Sequence, residues 1–384
     1  MYKIALFIIT FCLLISCKKT EDAYSLKSTE QYFRFSIDEE TKMPRISIFP
    51  FESKDGIEYI SFQNDSKPEI LFYDIRAERF VTKISFMTEG PNAIIGGFWG
   101  YYIKDFNTIY IQSLYTNTAY STDTTKRIKQ IISFEKTDKG QRLIPFLQTA
   151  GVQIVFAGSN LYVPQTINPM LKDRMMEDSP VGVSIDTINK SIKALPMKFP
   201  SLISFKDFGT PAASGLNYSR CFDGKHFIYA FQSSDKLYKA NISHEEIEEV
   251  ESKSKYIDKV STIQVKSDNL NDVLKRTCEQ ASYGNLVYDK YRKVYYRFAY
   301  PETELEANEN YMEILHSGRK VFSIMILDEN LQVIGETLFP EYTYNPNLFL
   351  VLKDGLYIST NHIKNPNYSE DVLCFQRFEL KRNE

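Results

Sequence analysis

Short, wholly apolar runs punctuated by turn residues recur along this chain, and few folds accommodate such a pattern. Tyr59-Ile-Ser-Phe62 precedes the turn-rich Gln63-Asn-Asp-Ser-Lys-Pro68. Ile70-Leu-Phe-Tyr73, the polar Arg76-Ala-Glu-Arg79 and Phe80-Val-Thr-Lys-Ile-Ser-Phe86 follow. Strand, turn, strand, turn, strand describes an antiparallel meander. The unit returns in part at His226 to Ala240 and in full at Val294 to Phe339, where an insertion splits it. Leu348-Phe-Leu-Val-Leu352, Leu356-Tyr-Ile-Ser359 and Val372 to Leu380 close the chain, and weaker copies lie at Thr108 to Phe134 and Gln153 to Phe199. Together they make about six units of roughly 45 to 80 residues.

Several runs, such as Ile70 to Tyr73 and Phe322 to Leu327, are continuously apolar, so both faces of their strands are buried. A sandwich exposes one face of each sheet and alternates more cleanly, and a parallel α/β fold needs a helix after every strand. One helix is expected, about Leu270 to Ala281, with Ser267-Asp-Asn269 as its cap. The expected fold is therefore an all-β propeller of about six (or seven) four-stranded blades with one short inserted helix. An open ring would leave end blades exposed. Gln31 to Ile37 has no meander of its own and is expected to complete the last blade.

The first seventeen residues constrain location. Lys3 precedes an apolar run from Ile4 to Ile15, and Ser16-Cys17 is followed by Lys18-Lys19-Thr20-Glu21-Asp22. A positive start, an h-region of about a dozen residues and a small residue at the cut describe an export signal. The run is too short to span a bilayer, which needs roughly 20 apolar residues. Cys17 directly after Ser16 resembles the lipobox of bacterial lipoproteins, in which the cysteine is diacylated and becomes the mature N-terminus. An ordinary secretory signal, or an uncleaved anchor, is the other reading. The expected organisation is a signal at 1–16, a polar tether at 17–30 and one propeller domain at 31–384. Lys18 after Cys17 resembles an outer-membrane-directed lipoprotein, with the periplasmic or surface face left open.

Further motifs resemble a family. These are Cys17, Gly90-Pro-Asn92, Tyr295-Tyr-Arg297 before Pro301, Asp328-Glu-Asn-Leu331 with Gly335-Glu336, and Gly355-Leu-Tyr-Ile358. They resemble an uncharacterised family of lipoproteins from Bacteroidota, similar to six-bladed propeller lipoproteins of the same bacteria. The resemblance implies an envelope location and a propeller, and it supplies no catalytic residues. A single Trp argues against Trp-Asp repeats, and one Gly96-Gly97 pair is not a kelch series.

Charge excludes one class of partner. The net charge is −3, or −4 once Lys3 leaves with the signal, so no basic footprint for nucleic acid exists. Cys221, Cys278 and Cys374 remain after the signal and the anchor, and are expected to be free thiols acting as small apolar residues. His226, His244, His316 and His362 lack the close spacing of zinc ligands. The acidic run Glu245 to Glu251 lacks the spaced oxygens and Gly turn of a calcium loop, so a solvated turn and edge strand is expected. No Gly-x-Ser-x-Gly elbow is present, and Gly96-Gly97-Phe-Trp-Gly100 lacks the lysine of a phosphate loop. No metal site, cofactor or catalytic residue is therefore expected.

The axial face of the ring is the expected site, because strand ends from different blades converge there. Tyr218, Arg220, Tyr283, Asn285 and Arg297 are the ligand-binding candidates. Arg can hold a carboxylate bidentately and Tyr can stack on a sugar or peptide. These residues could equally bond neighbouring blades. The long inserts Thr166 to Pro180 and Glu302 to Arg319 are alternative contact surfaces. The expected function is a membrane-anchored module binding an envelope protein or small ligand. The alternative is a propeller lyase or glycoside hydrolase on the axial face, which requires paired carboxylates about 5 to 9.5 Å apart for glycoside hydrolysis.

Overall fold

The computed structural model describes residues 22–44, 48–64, 66–113, 115–143, 149–165, 180–199, 217–260, 269–306 and 309–384. Strands dominate it. The first, β1 (Tyr24–Ser36), precedes four four-stranded antiparallel meanders. They are β2 (Ile48–Glu52) to β5 (Arg79–Ser85) with β3 (Glu58–Gln63) and β4 (Glu69–Asp74) between them, and β6 (Phe98–Asp105) to β9 (Gln130–Ser133) with β7 (Thr108–Ser113) and β8 (Thr118–Thr122). Next come β10 (Val155–Ala157), β11 (Asn160–Pro164), β12 (Gly182–Asp186) and β13 (Ile192–Ala194), then β14 (Tyr218–Phe222), β15 (His226–Phe231), β16 (Lys236–Asn241) and β17 (Ile247–Glu251).

The remaining strands share one eight-stranded sheet. Its first half is β18 (Ser282–Asp289), β19 (Val294–Tyr300), β20 (Ser323–Leu327) and β21 (Val333–Leu338). Its second half is β22 (Asn345–Leu352), β23 (Gly355–Ser359) and β24 (Val372–Arg382), with β1 antiparallel to β24 as the outer strand. Among the described residues the backbones of the two halves pair through β1 and β21, at the parallel pairing of Tyr24 with Gly335. A Cβ on Gly335 would come 1.9 Å from the Tyr24 carbonyl oxygen, so this junction needs glycine.

Aspartate shapes many of the turns. Asp74, Asp105, Asp123, Asp186, Asp223, Asp289 and Asp328 each stand at or just beyond a strand end, and each accepts a backbone N–H two or three residues on. This Asx turn reverses the chain and leaves the next apolar run free to pair back. The core lies between sheets. Phe72 and Ile70 pack on Ile109 and Ile111, Ile132 on Val183, Val181 on Phe227, Ile228 on Met325, and Phe298 on Phe349. Leu350 and Phe375 then pack on Ile60 and Phe62 of the first meander, so the apolar contacts run in a cycle. The result is a β-rich, propeller-like fold, as continuous apolar strands buried on both faces require.

Two expectations are corrected. β1 begins at Tyr24 inside the stretch expected to be tether, because its residues pair with β24 from Tyr24 opposite Arg382 to Ser36 opposite Val372, across a bulge between Ser28 and Tyr32. There are also two described helices. α1 (Leu270–Glu279) is the expected one, capped by Asn269. α2 (Tyr311–Ser317) lies in the insert expected to be a loop; Asn310 caps it, and Ile314 packs on Cys278 of α1. A helix this short has little periodicity to read, and its tertiary contact stabilises it.

Candidate functional site

The first strands of the meanders bear polar residues and breakers where the second and third strands are almost purely apolar. Pro50 interrupts β2 and Gly284 interrupts β18, while Arg220 stands in β14. These strands line a cavity of about 380 Å³, to which β2, β6, β10, β14, β18 and β22 all contribute. Its wall includes the aromatic side chains of Phe51, Tyr59, Tyr102, Phe156, Phe222 and Tyr288. Four charged residues line it: Glu52, Glu58, Arg220 and Lys290. The carboxylates face each other across β2 and β3, and each meets a cation, Glu52 with Lys353 at 3.4 Å and Glu58 with Arg76 at 2.8 Å.

A second cavity of about 240 Å³ lies among the opening residues of β14, β18 and β22, whereas the larger one lies toward the closing residues of those strands. Tyr218, Tyr283 and Asn285 line this second cavity, and Arg220 lines the first. The Tyr218 hydroxyl donates to the Val181 and Gln165 carbonyls at 2.7 and 2.9 Å, and burial pushes its pKa up. The Tyr283 hydroxyl donates to the Asp235 carboxylate and accepts the Ser254 N–H; burial raises its pKa too. Asn285 donates to the Pro346 carbonyl at 3.1 Å. Its Oδ1 lies against Gly151, where a Cβ would come within 2.1 Å.

Arg297 stands apart. It lies on a second strand, β19, is 0% exposed and lines neither cavity. Its guanidinium donates to the Ser252 and Ser234 carbonyls of the preceding meander at 2.9 and 2.5 Å. Burial pulls its pKa down to about 10, still charged at neutral pH. It ties two sheets together, and a buried donor so engaged is not offered to a ligand.

Arg220 is 2% exposed. Its Nη2 donates to the Gln153 carbonyl at 2.6 Å and the Tyr162 carbonyl at 3.0 Å, while Nε and Nη1 have no hydrogen-bond partner. Beside it, Tyr229 and His244 share a 2.7 Å hydrogen bond. Burial, with the Arg220 charge, holds His244 down to about 4, so that imidazole is neutral.

Glu52, Glu58, Phe156, Phe222 and Lys290 were not among the sequence candidates. The clue to them was the aromatic ends of the short runs opening each unit, such as Ile48-Phe-Pro-Phe-Glu52. A third hollow, about 520 Å³, lies off the shared strands between Asp38, Glu39, Glu313 and Asp371. Among the described residues no three His, Cys, Asp or Glu side chains gather as a metal site. The acidic run forms β17, an exposed outer strand. Cys221, Cys278 and Cys374 are free thiols. Cys17, and the insert from Thr166 up to residue 179, lie outside the described residues.

No helix among the described residues is long and apolar enough to cross a membrane. A solved protein of Bacteroides vulgatus superposes with a TM-score of 0.84 at 25% identity, covering 94% of this chain and 100% of its own; it is a member of the DUF4221 family. A Bacteroides fragilis protein, described as exported, superposes with a TM-score of 0.52 at 12% identity, covering 94% of this chain and 97% of its own. No curated protein sequence matches the chain closely enough to count as a relative. Residues 23–338 match the domain of unknown function DUF4221, so the chain belongs to that family.

Proposed function

We propose that this protein is a lipid-anchored, six-bladed β-propeller of the bacterial envelope that binds a ligand in its axial cavity. The first strands of six meanders contribute to one cavity of about 380 Å³, and this observation carries the reading. An apolar, aromatic wall with a few polar groups is the usual make-up of a small-molecule site. Cys17 after the apolar run supports the anchor, and Lys18 supports the outer membrane. Two acyl chains suffice for stable attachment where one is marginal.

Binding is favoured over lysis or glycoside hydrolysis because Glu52 and Glu58 are each engaged by a cation. Immobilised full-length protein incubated with a small-molecule cell extract tests the reading by mass spectrometry of what elutes. The expected result is a retained compound that Val287→Trp, which fills the cavity, no longer holds. Equal retention by both proteins overturns the axial site.

A further inference from the structure

The smaller cavity, of about 240 Å³, offers polar groups but no available charge. Among the described residues Arg319 is the one charged side chain in its lining. All three of its nitrogens are engaged, Nε donating to the Cys278 carbonyl at 2.7 Å, Nη1 to the Ser282 hydroxyl at 2.8 Å and Nη2 to the Gln280 carbonyl at 2.6 Å. Tyr300, beneath that guanidinium, is 7% exposed and lines the cavity, yet its hydroxyl bonds no described residue. A buried tyrosine hydroxyl ordinarily finds a partner. Burial raises its pKa to about 12, so it keeps its proton and can donate. The ring is held at the cavity wall by its close approach to β18, where a Cβ on Gly284 would come within 2.5 Å of it.

Other lining groups are also open. The side chains of Thr149, Asn217 and Gln232 have no partner among the described residues. Asn285 and Asn347 donate through Nδ2 to the Pro346 and Leu315 carbonyls, at 3.1 and 2.9 Å, and keep Oδ1 as an acceptor. Amides and hydroxyls together present donors and acceptors in several directions. An ion entering here would lose its water without gaining a counter-charge, and an apolar ligand would leave these groups unpaired. The volume falls below the roughly 300–1,000 Å³ of sites for drug-sized ligands, so the occupant is small. Thr277 of α1 and Leu315 of α2 wall the cavity, which leaves no open strand edge for an extended peptide. We propose that this cavity is a second binding site, separate from the axial one, for a single uncharged sugar ring whose hydroxyls are met by Tyr300, Gln232 and Asn217.

Saturation-transfer NMR on full-length protein in a zwitterionic detergent tests it, with glucose, galactose, mannose and N-acetylglucosamine as probes beside charged glucuronate and glucosamine. At least one neutral sugar is expected to bind, and more tightly than the charged ones. Tyr300→Phe removes only the hydroxyl and is expected to weaken binding about three- to ten-fold, as loss of one hydrogen bond provides, with the urea midpoint unchanged. Gln232→Leu, at a half-buried position, should weaken it similarly. Val287→Trp fills only the axial cavity and should leave sugar binding intact, which separates this site from that one. Methyl glycosides of the same sugars distinguish a free sugar, which needs its anomeric hydroxyl, from the end of a glycan, which does not; either supports the site. Binding of no neutral sugar, a preference for the charged ones, or equal affinity in Tyr300→Phe and Gln232→Leu would overturn it. A clear loss of stability in Tyr300→Phe would give the hydroxyl a protein partner and remove the premise.

Discussion

The Arg297 guanidinium lies over the Tyr283 ring, its central carbon 3.6 Å from the ring centroid. The same guanidinium reaches carbonyls at the two ends of the β16–β17 hairpin, Ser234 and Ser252, so one side chain joins consecutive meanders. Arg297→Met keeps much of the volume and leaves those carbonyls without donors. The expected cost is about 3 kcal/mol or more, from loss of a buried charged donor. Urea unfolding measures it, and a change below about 1 kcal/mol would remove Arg297 from this role.

Two buried histidines set an acid limit on stability. His244 and His362 are both held down to about 4, chiefly by burial, against an ordinary value near 6.5. Well above pH 6.5 both are neutral folded or unfolded, and stability is at its plateau. Between pH 6.5 and about 4 the unfolded chain takes up protons the folded chain refuses, so stability falls as pH falls. Each histidine contributes a slope approaching 1.4 kcal/mol per pH unit in that window. Unfolding curves from pH 7.5 to 4.5 should show the decline, and His362→Gln should reduce its slope by about one proton. A flat profile in the wild type contradicts the assignment.

The first strand holds the ring through the last. Phe33, Phe35 and Ile37 pack with Leu373, Phe375 and Tyr357 and with the first meander. Removing residues up to 40 is expected to unfold the protein, read as loss of a cooperative thermal transition. Gly335→Val is the milder test. It places a branched side chain on the Tyr24 carbonyl and should destabilise by about 1–3 kcal/mol, from overpacking against backbone. A stable truncated ring would show that β1 is dispensable.

Two cysteines are expected to resist reagents. Burial raises the thiol pKa of Cys278 to about 12 and that of Cys221 further, so neither supplies thiolate at neutral pH. Native protein treated with iodoacetamide at pH 7.5 should leave both unmodified by peptide mass spectrometry, with modification only after denaturation. Prompt labelling of Cys278 in the native state would place it nearer solvent than the packing of α1 on α2 allows.

The proposed anchor has its own test. Cells fed an alkyne fatty acid should label the wild type and not Cys17→Ala, and crosslinking intact cells should identify any envelope partner held near stoichiometry. Label retained in the variant would exclude Cys17 as the acceptor.

Which strands were visible in the sequence follows from where each lies. Ile70 to Tyr73 and Phe322 to Leu327 are sandwiched between neighbouring sheets, so every position is apolar and the run stands out. The opening strands border a cavity and tolerate Pro50, Arg220 and Gly284, which hides them. Outer strands such as β5 and β17 are largely exposed and look like polar linkers. Of the site candidates, Tyr218, Arg220, Tyr283 and Asn285 lie on opening strands and line a cavity, and Arg297 does not. Residue type could not separate them, because an arginine bonding a neighbouring sheet and one facing a cavity look alike in sequence. What separates them is how many donors the surrounding carbonyls take up.

The pairing of β1 with β24 also orders events in time. Ribosomes deliver Tyr24 long before Arg382, yet the two are partners across the same ladder. Middle meanders can form as they emerge, since their strands are sequence neighbours. The seam cannot close until β24 has been made. A polypeptide built this way stays openable, and hence threadable through a narrow channel, up to the moment its last strand arrives.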